Sequence, residues 1–150
     1  MLALWLLSSA GCGDDPQSPE AQIRAMLARA ETAAEERDIR TLRGLISERF
    51  EDGMGRGKDE AVMLLRGFLL RHRPLHVITR VQSITVNEHQ QARVTLALAT
   101  AGRPIDNNRE SLGRIHGDLH WLELVLTRQD TDDWQILRAE REPAGLHDFF

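Results

Sequence analysis

The sequence predicts an α+β domain with helices packed on one face of an antiparallel sheet, and three features predict it. Up to Arg71 the apolar residues recur every three or four positions, the period of helices with one buried stripe. Pro74 interrupts that pattern, and beyond it Val, Ile, Leu, Thr and Trp alternate in runs separated by polar connections, the period of strands. Helices first and strands after separates the two kinds of element into two layers. The third feature is size, since 150 residues suffice for one hydrophobic core and fall short of two ordinary domains.

The chain opens on MLALWLLSSAG, an apolar run that ends at Cys12 and passes at once into the polar GDDPQSPE. Residues 1–11 are too few to span a bilayer, which takes about 20 residues. The only cysteine of the chain, placed after small Ser9, Ala10 and Gly11, resembles the lipobox of bacterial lipoproteins, in which a leader is removed and the new N-terminal cysteine is acylated. That resemblance implies a signal over 1–11, a lipid on Cys12, a tether over 12–17, and a domain held outside the cytoplasm at a cell-envelope membrane, periplasmic in a Gram-negative cell. The alternative is an ordinary apolar N-terminal segment with an inert thiol. One cysteine permits no disulfide within the chain.

The folded domain is expected over 18–143. Ser18 is placed as an N-cap, Pro19 at the first helical position and Glu20 in the first turn, where the helix dipole favours an acid. Ile23, Met26, Leu27, Ala30, Ala33 and Ala34 form the buried stripe, which leaves Arg24, Arg29, Glu31, Glu35 and Glu36 for the other side. A short second helix follows Asp38 with Ile39, Leu42, Leu45 and Ile46 as its apolar face. Residues 47–51 read as a brief extended segment carrying Phe50, and the Gly-rich DGMGRG as a turn. A third helix over 58–71 buries Ala61, Val62, Leu65, Phe68 and Leu69 and ends before Pro74. Arg71, His72 and Arg73 close it, where cations suit the dipole without any ligand.

Four strands are expected at 75–88, 91–101, 113–129 and 133–141. In the third, both alternations are apolar: Leu122, Leu124 and Leu126 on one side, Leu119, Trp121 and Val125 on the other. Helices cover only one face of such a sheet, so a second subunit is the economical cover for the other. Glu123 sits among the second set as an exposed edge acid or as one paired across a subunit boundary. Arg138 and Glu140 in the last strand share a side with Trp134 and Ile136. The tail over 144–150 ends on Phe149 and Phe150, costly to leave in water.

This order of elements, with LISERFEDGMGRG between the second and third helices and DDWQILRAEREP as the closing strand, resembles the nuclear transport factor 2-like (NTF2-like) superfamily, which includes SnoaL-like and ketosteroid-isomerase-like domains. The resemblance implies a cone-shaped barrel, a curved sheet wrapped around the helices with a pocket at its open end, and dimerisation through the outer sheet face. It implies no single activity, because this fold hosts both enzymes and binding modules.

The chemistry-bearing residues are few. The isomerase type uses a carboxylate base beside an oxyanion hole built from a Tyr and a protonated acid, and this chain has no Tyr. Neither a nucleophile elbow, a phosphate-binding loop nor a paired zinc motif is present in the sequence. Net charge is −4, Lys58 is the single lysine, and acids interleave with the arginines, so no basic face for nucleic acid is expected. The remaining constellation is His116, Asp118 and His120, alternate residues that share one strand face with Leu122. They read as a solvated strand end, as the polar rim of a ligand pocket, or as metal ligands, in falling order.

The reading is therefore a non-catalytic cell-envelope lipoprotein, anchored in the membrane through a lipid on Cys12 and dimeric. Its NTF2-like domain would bind a small apolar ligand or a partner protein, without cofactor or metal. His116, Asp118 and His120 are its ligand-binding candidates. The alternative is a SnoaL-like isomerase, dehydratase or hydrolase that uses those residues as general acid or base.

Overall fold

The computed structural model describes residues 15–102 and 117–145. The leader, Cys12, His116 and the terminal 146–150 lie outside them. The elements run α1 (Pro19–Glu36), α2 (Ile39–Gly44), α3 (Lys58–Arg71), β1 (His76–Val86), β2 (Gln91–Ala101), β3 (Gly117–Thr127) and β4 (Gln135–Pro143). The four strands pair in sequence order into one antiparallel sheet, curved around the helices.

Local chemistry sets the helix limits. The Ser18 hydroxyl accepts from the Ala21 N–H at 3.2 Å and Pro19 opens α1. Arg37 ends α1 in the left-handed region at φ 58, an unusual place for a side chain, and the guanidinium gives the reason. Its Nε and Nη2 donate to the carbonyls of Leu69 and His72, at 3.3 and 3.0 Å, and so tie the end of α1 to the end of α3. Residues 47–51 are not a strand. Ser47 and Phe50 close a turn, Ser47 N–H donates to Ile136 C=O at 2.9 Å and Glu51 N–H to Leu137 C=O at 3.2 Å, so the segment lies along the free edge of β4.

The sheet has two unlike faces. On the concave one, Val94, Leu96, Leu124 and Leu126 pack against Ile23, Met26 and Leu27 of α1, with Trp134 closing that end. Each fully buried aliphatic side chain of this set contributes about 1.5–3 kcal/mol of transfer free energy. Trp134 Nε1 donates to Gln22 Oε1 at 3.2 Å, and Arg128 stacks over the indole at 5.0 Å, so the closed end of the fold has its polar groups satisfied. On the convex face, Ala97 and Ala99 are covered by Ile78, Leu119 and Trp121.

Register irregularities move several side chains from where simple alternation puts them. An extra residue in β1 at Gln82 and another in β4 at Leu137 break the pairing, and such bulges bend a strand and increase its twist. The second one turns Arg138 and Glu140 opposite Val125 and Glu123, on the convex face, while Ile136 stays on the concave face opposite Leu126. Arg138 and Glu140 therefore do not share a side with Ile136. Glu123 lies on a central strand, not an edge, and pairs with Arg93 of the same chain. Val125 stands directly between Arg93 and Arg138, so the apolar convex patch stops at Trp121.

Candidate functional site

A cavity of 210 Å³ lies between the helices and the concave face, toward the end opposite Trp134. Ala30 and Ala34 of α1, Leu65 and Phe68 of α3, and Leu98 and Leu122 of the sheet are among its walls. Its origin is in the sequence. Where α1 faces the sheet with Ile23 the space is filled, and where Met26 and Leu27 give way to Ala30 and Ala34 the small side chains stop short of the sheet, while Ala33 packs against Leu42 and Leu69. Interiors are otherwise packed to crystal density, so a void of this size is a feature of the residue choice.

The cavity wall is interrupted by three polar side chains, Glu31, Thr79 and Thr100. Glu31 Oε1 accepts from the Thr79 N–H at 2.9 Å and from the Thr79 hydroxyl, and Glu35 Oε1 accepts from the Val77 N–H at 2.8 Å. Both carboxylates thus occupy the outer edge of β1, which no other described strand pairs. Glu31 and Glu35, expected on the side of α1 away from its buried stripe, are half-buried against the sheet instead. One turn apart on the flank of the stripe, they reach the sheet edge rather than the water.

At Leu75 and Thr100 the cavity meets a second, more open hollow of 440 Å³, lined also by Arg71, His72, Arg73 and Asp118. His72 is held in place: its ring stacks on Phe68 with 4.1 Å between centroids, and its Nδ1 lies 2.8 Å from the Phe68 carbonyl oxygen. A carbonyl only accepts, so Nδ1 carries the proton.

Of the three residues singled out from sequence, His116 lies outside the described residues. Asp118 is exposed, opposite Thr100 at the rim of the hollow. His120 is half-buried opposite Leu98, between Asp118 and the cavity residue Leu122 along the same face of β3. Its Nδ1 is buried and has no hydrogen-bond partner among the described residues. A buried polar atom without a partner costs about 1–3 kcal/mol. No three His, Cys, Asp or Glu side chains among the described residues are grouped to hold a metal ion. No described helix is long and apolar enough to cross a membrane.

The sequence did not reveal Glu31, Thr79, Thr100 or His72 as site residues. The available signal was the change from Met and Leu to Ala along α1, which marks where space is left.

Neither a protein-family model nor a curated protein sequence matches the chain. Solved structures do. A candidate scytalone dehydratase from Novosphingobium aromaticivorans superposes with a TM-score of 0.68 at 16% identity, over 84% of each chain. A candidate dehydratase of the NTF2-like family from Streptomyces avermitilis superposes at 0.62 and 19% identity, over 84% of this chain and 97% of that one. The Bdellovibrio bacteriovorus protein Bd1075 superposes at 0.62 and 13% identity over 83% of this chain, which spans only 40% of its length. These structures share the NTF2-like α+β cone with this protein, and at such identities the likeness is one of fold.

Proposed function

We propose that this chain is a binding module for a small, mostly apolar molecule, which it holds in the 210 Å³ cavity between α1, α3 and the concave sheet face. The cavity is the observation that supports this reading. Hydrocarbon walls supply affinity in proportion to the apolar area they remove from water, and Thr100 of the wall, with Asp118 opposite it and His120 next along that face of β3, marks the end where a ligand's polar group would lie. A hydrophobic ligand raises the melting temperature by mass action. His120→Ala is expected to weaken that shift while leaving the unliganded melting temperature within a few degrees of wild type. No shift with any member of a broad panel of apolar compounds rejects the reading.

A second reading is that the same site is catalytic, with His120 and Asp118 as general acid and base. It is favoured by their place on the concave face and by the fold likeness to candidate dehydratases. The two readings separate on the fate of the ligand. Mass spectrometry of a bound compound after prolonged incubation returns it unchanged from a binding module and converted from an enzyme.

The domain is further proposed to sit on an envelope membrane through an acylated Cys12 and to pair with a second copy through the convex sheet face. Labelled palmitate should enter the wild-type chain and not the Cys12→Ser variant. Equal labelling of the two excludes the anchor.

A further inference from the structure

The outward face of α3 is apolar where a surface helix is ordinarily polar. We propose that this face lies on the surface of an anionic phospholipid membrane. The inference is independent of what the cavity holds, and its choice of occupant rests in part on the anchor proposed at Cys12.

Three observations carry it. First, the exposed large apolar side chains among the described residues are Met54, Met63, Leu64 and Leu70, three of them on α3 and Met54 on the turn that leads into it. Met63, Gly67 and Leu70 follow at spacings of four and three, so they form one stripe, with Leu64 beside it. On the inward side Val62, Leu65, Phe68 and Leu69 pack within the fold. A helix apolar on both sides is one with apolar surroundings on both.

Second, the arginines of α3 stand along this stripe. Arg66 precedes Leu70 by one turn, and the Arg71 guanidinium lies back over Gly67, with Nη1 3.3 Å from where a Cβ would stand there. Arg66, Arg71 and Arg73 are exposed and form no ion pair with a described acid. Glu60 is the last acid of α3, and no other follows before Glu88, in a chain whose net charge is −4. Arginines around a surface of Met and Leu suit anionic headgroups, because their stems lie along the apolar layer while their guanidiniums reach phosphate.

Third, a tether over 12–17 spans at most about 20 Å, so a domain anchored at Cys12 stays against the bilayer and presents one face to it. The convex sheet face carries Glu123 and Glu140 beside its arginines. The α3 stripe beyond Glu60 carries no acid.

The test is co-sedimentation of the unacylated full chain, Cys12→Ser, with vesicles of phosphatidylglycerol and, in parallel, of phosphatidylcholine. The chain should bind the first more tightly. Arg66→Gln combined with Arg71→Gln should weaken that binding about tenfold, and Met63→Gln combined with Leu70→Gln should weaken binding to both kinds of vesicle. Arg80→Gln combined with Arg138→Gln removes the same charge from the convex face and should change binding far less. An environment-sensitive fluorophore on Met63→Cys, in the same Cys12→Ser background, should shift to the blue on phosphatidylglycerol, and one on Arg138→Cys should not. If the convex pair weakens binding as much as the α3 pair, net charge alone drives it and the inference is wrong. No shift at Met63→Cys, with or without binding, overturns it as well, since another part of the chain then makes the contact. If the Met63→Gln, Leu70→Gln chain loses a dimer that its parent forms, the stripe joins two copies and not a membrane. Labelled palmitate decides the anchor separately, so either claim can fail without the other.

Discussion

Asp38 joins α1 to α2 through its carboxylate. It accepts from the Thr41 hydroxyl at 2.6 Å and from the Thr41 N–H at 3.0 Å, and these two bonds, the hydroxyl first, hold its pKa below the usual 3.8. Asp52 does the same for the Gly-rich turn, where the Arg56 N–H lowers the pKa most, burial opposes it by less, and the Arg56 guanidinium and the Met54 N–H lower it further. A carboxylate whose folded pKa is depressed stabilises the fold fully above its unfolded value and loses that contribution as pH falls through the folded value. Asp38→Ala is therefore expected to lower the melting temperature by a few degrees at neutral pH, and by progressively less as pH falls below 3.8. Thermal unfolding of both proteins across that range checks it. A gap that stays constant into acid would show that the ionised carboxylate is not what stabilises the junction. Sequence reading started α2 directly after Asp38, and the partner that makes Asp38 its cap, Thr41, is only three residues away. The role of Glu31 was not legible, because its partner Thr79 is 48 residues away and only the fold brings them together.

At the scale of elements, the sheet is finished at both edges by the helical layer. The 45–51 segment covers β4, and Glu31 and Glu35 hold β1. Replacing both glutamates by Ala strips acceptors from the N–H groups of Val77 and Thr79 and should cost about 1–3 kcal/mol per carboxylate. Hydrogen exchange reads it directly: the amides of Val77 and Thr79 should lose protection while Val94 and Leu126 in the core keep theirs. Equal loss throughout would mean that α1 holds the sheet by its apolar stripe alone. Sequence reading located α3 at Lys58–Arg71 and β2 at Gln91–Ala101 because Pro74 and the Asn87–Gln90 turn mark their ends sharply. It missed the faces of Arg138 and Glu140, since the bulge at Leu137 adds a residue without interrupting the apolar pattern.

For the whole molecule, the two faces of one sheet make separate predictions. On the convex face Trp121 and Leu119, with Ile78, lie over Ala97 and Ala99, and the charged Arg93, Glu123, Arg138 and Glu140 flank this patch on one side. Sedimentation of the protein is expected to show a dimer at micromolar concentration, and Trp121→Arg a folded monomer, because a charge at the centre of a small apolar interface is left unpaired. A wild-type monomer would assign the convex patch no partner of its own kind.

On the concave face the stake is whether the space left by Ala30 and Ala34 receives a ligand. Methyl NMR of the protein titrated with 1-octanol locates any binding without assuming an affinity. Leu98 and Leu122, which line the cavity, should shift and saturate, while Ile78 and Leu119 on the convex face should not move. Ala30→Leu, which places a larger side chain in the cavity, should abolish those shifts. Shifts at Ile78 and Leu119 instead, or shifts at Leu98 and Leu122 that persist in Ala30→Leu, would contradict a ligand held between the helices and the sheet.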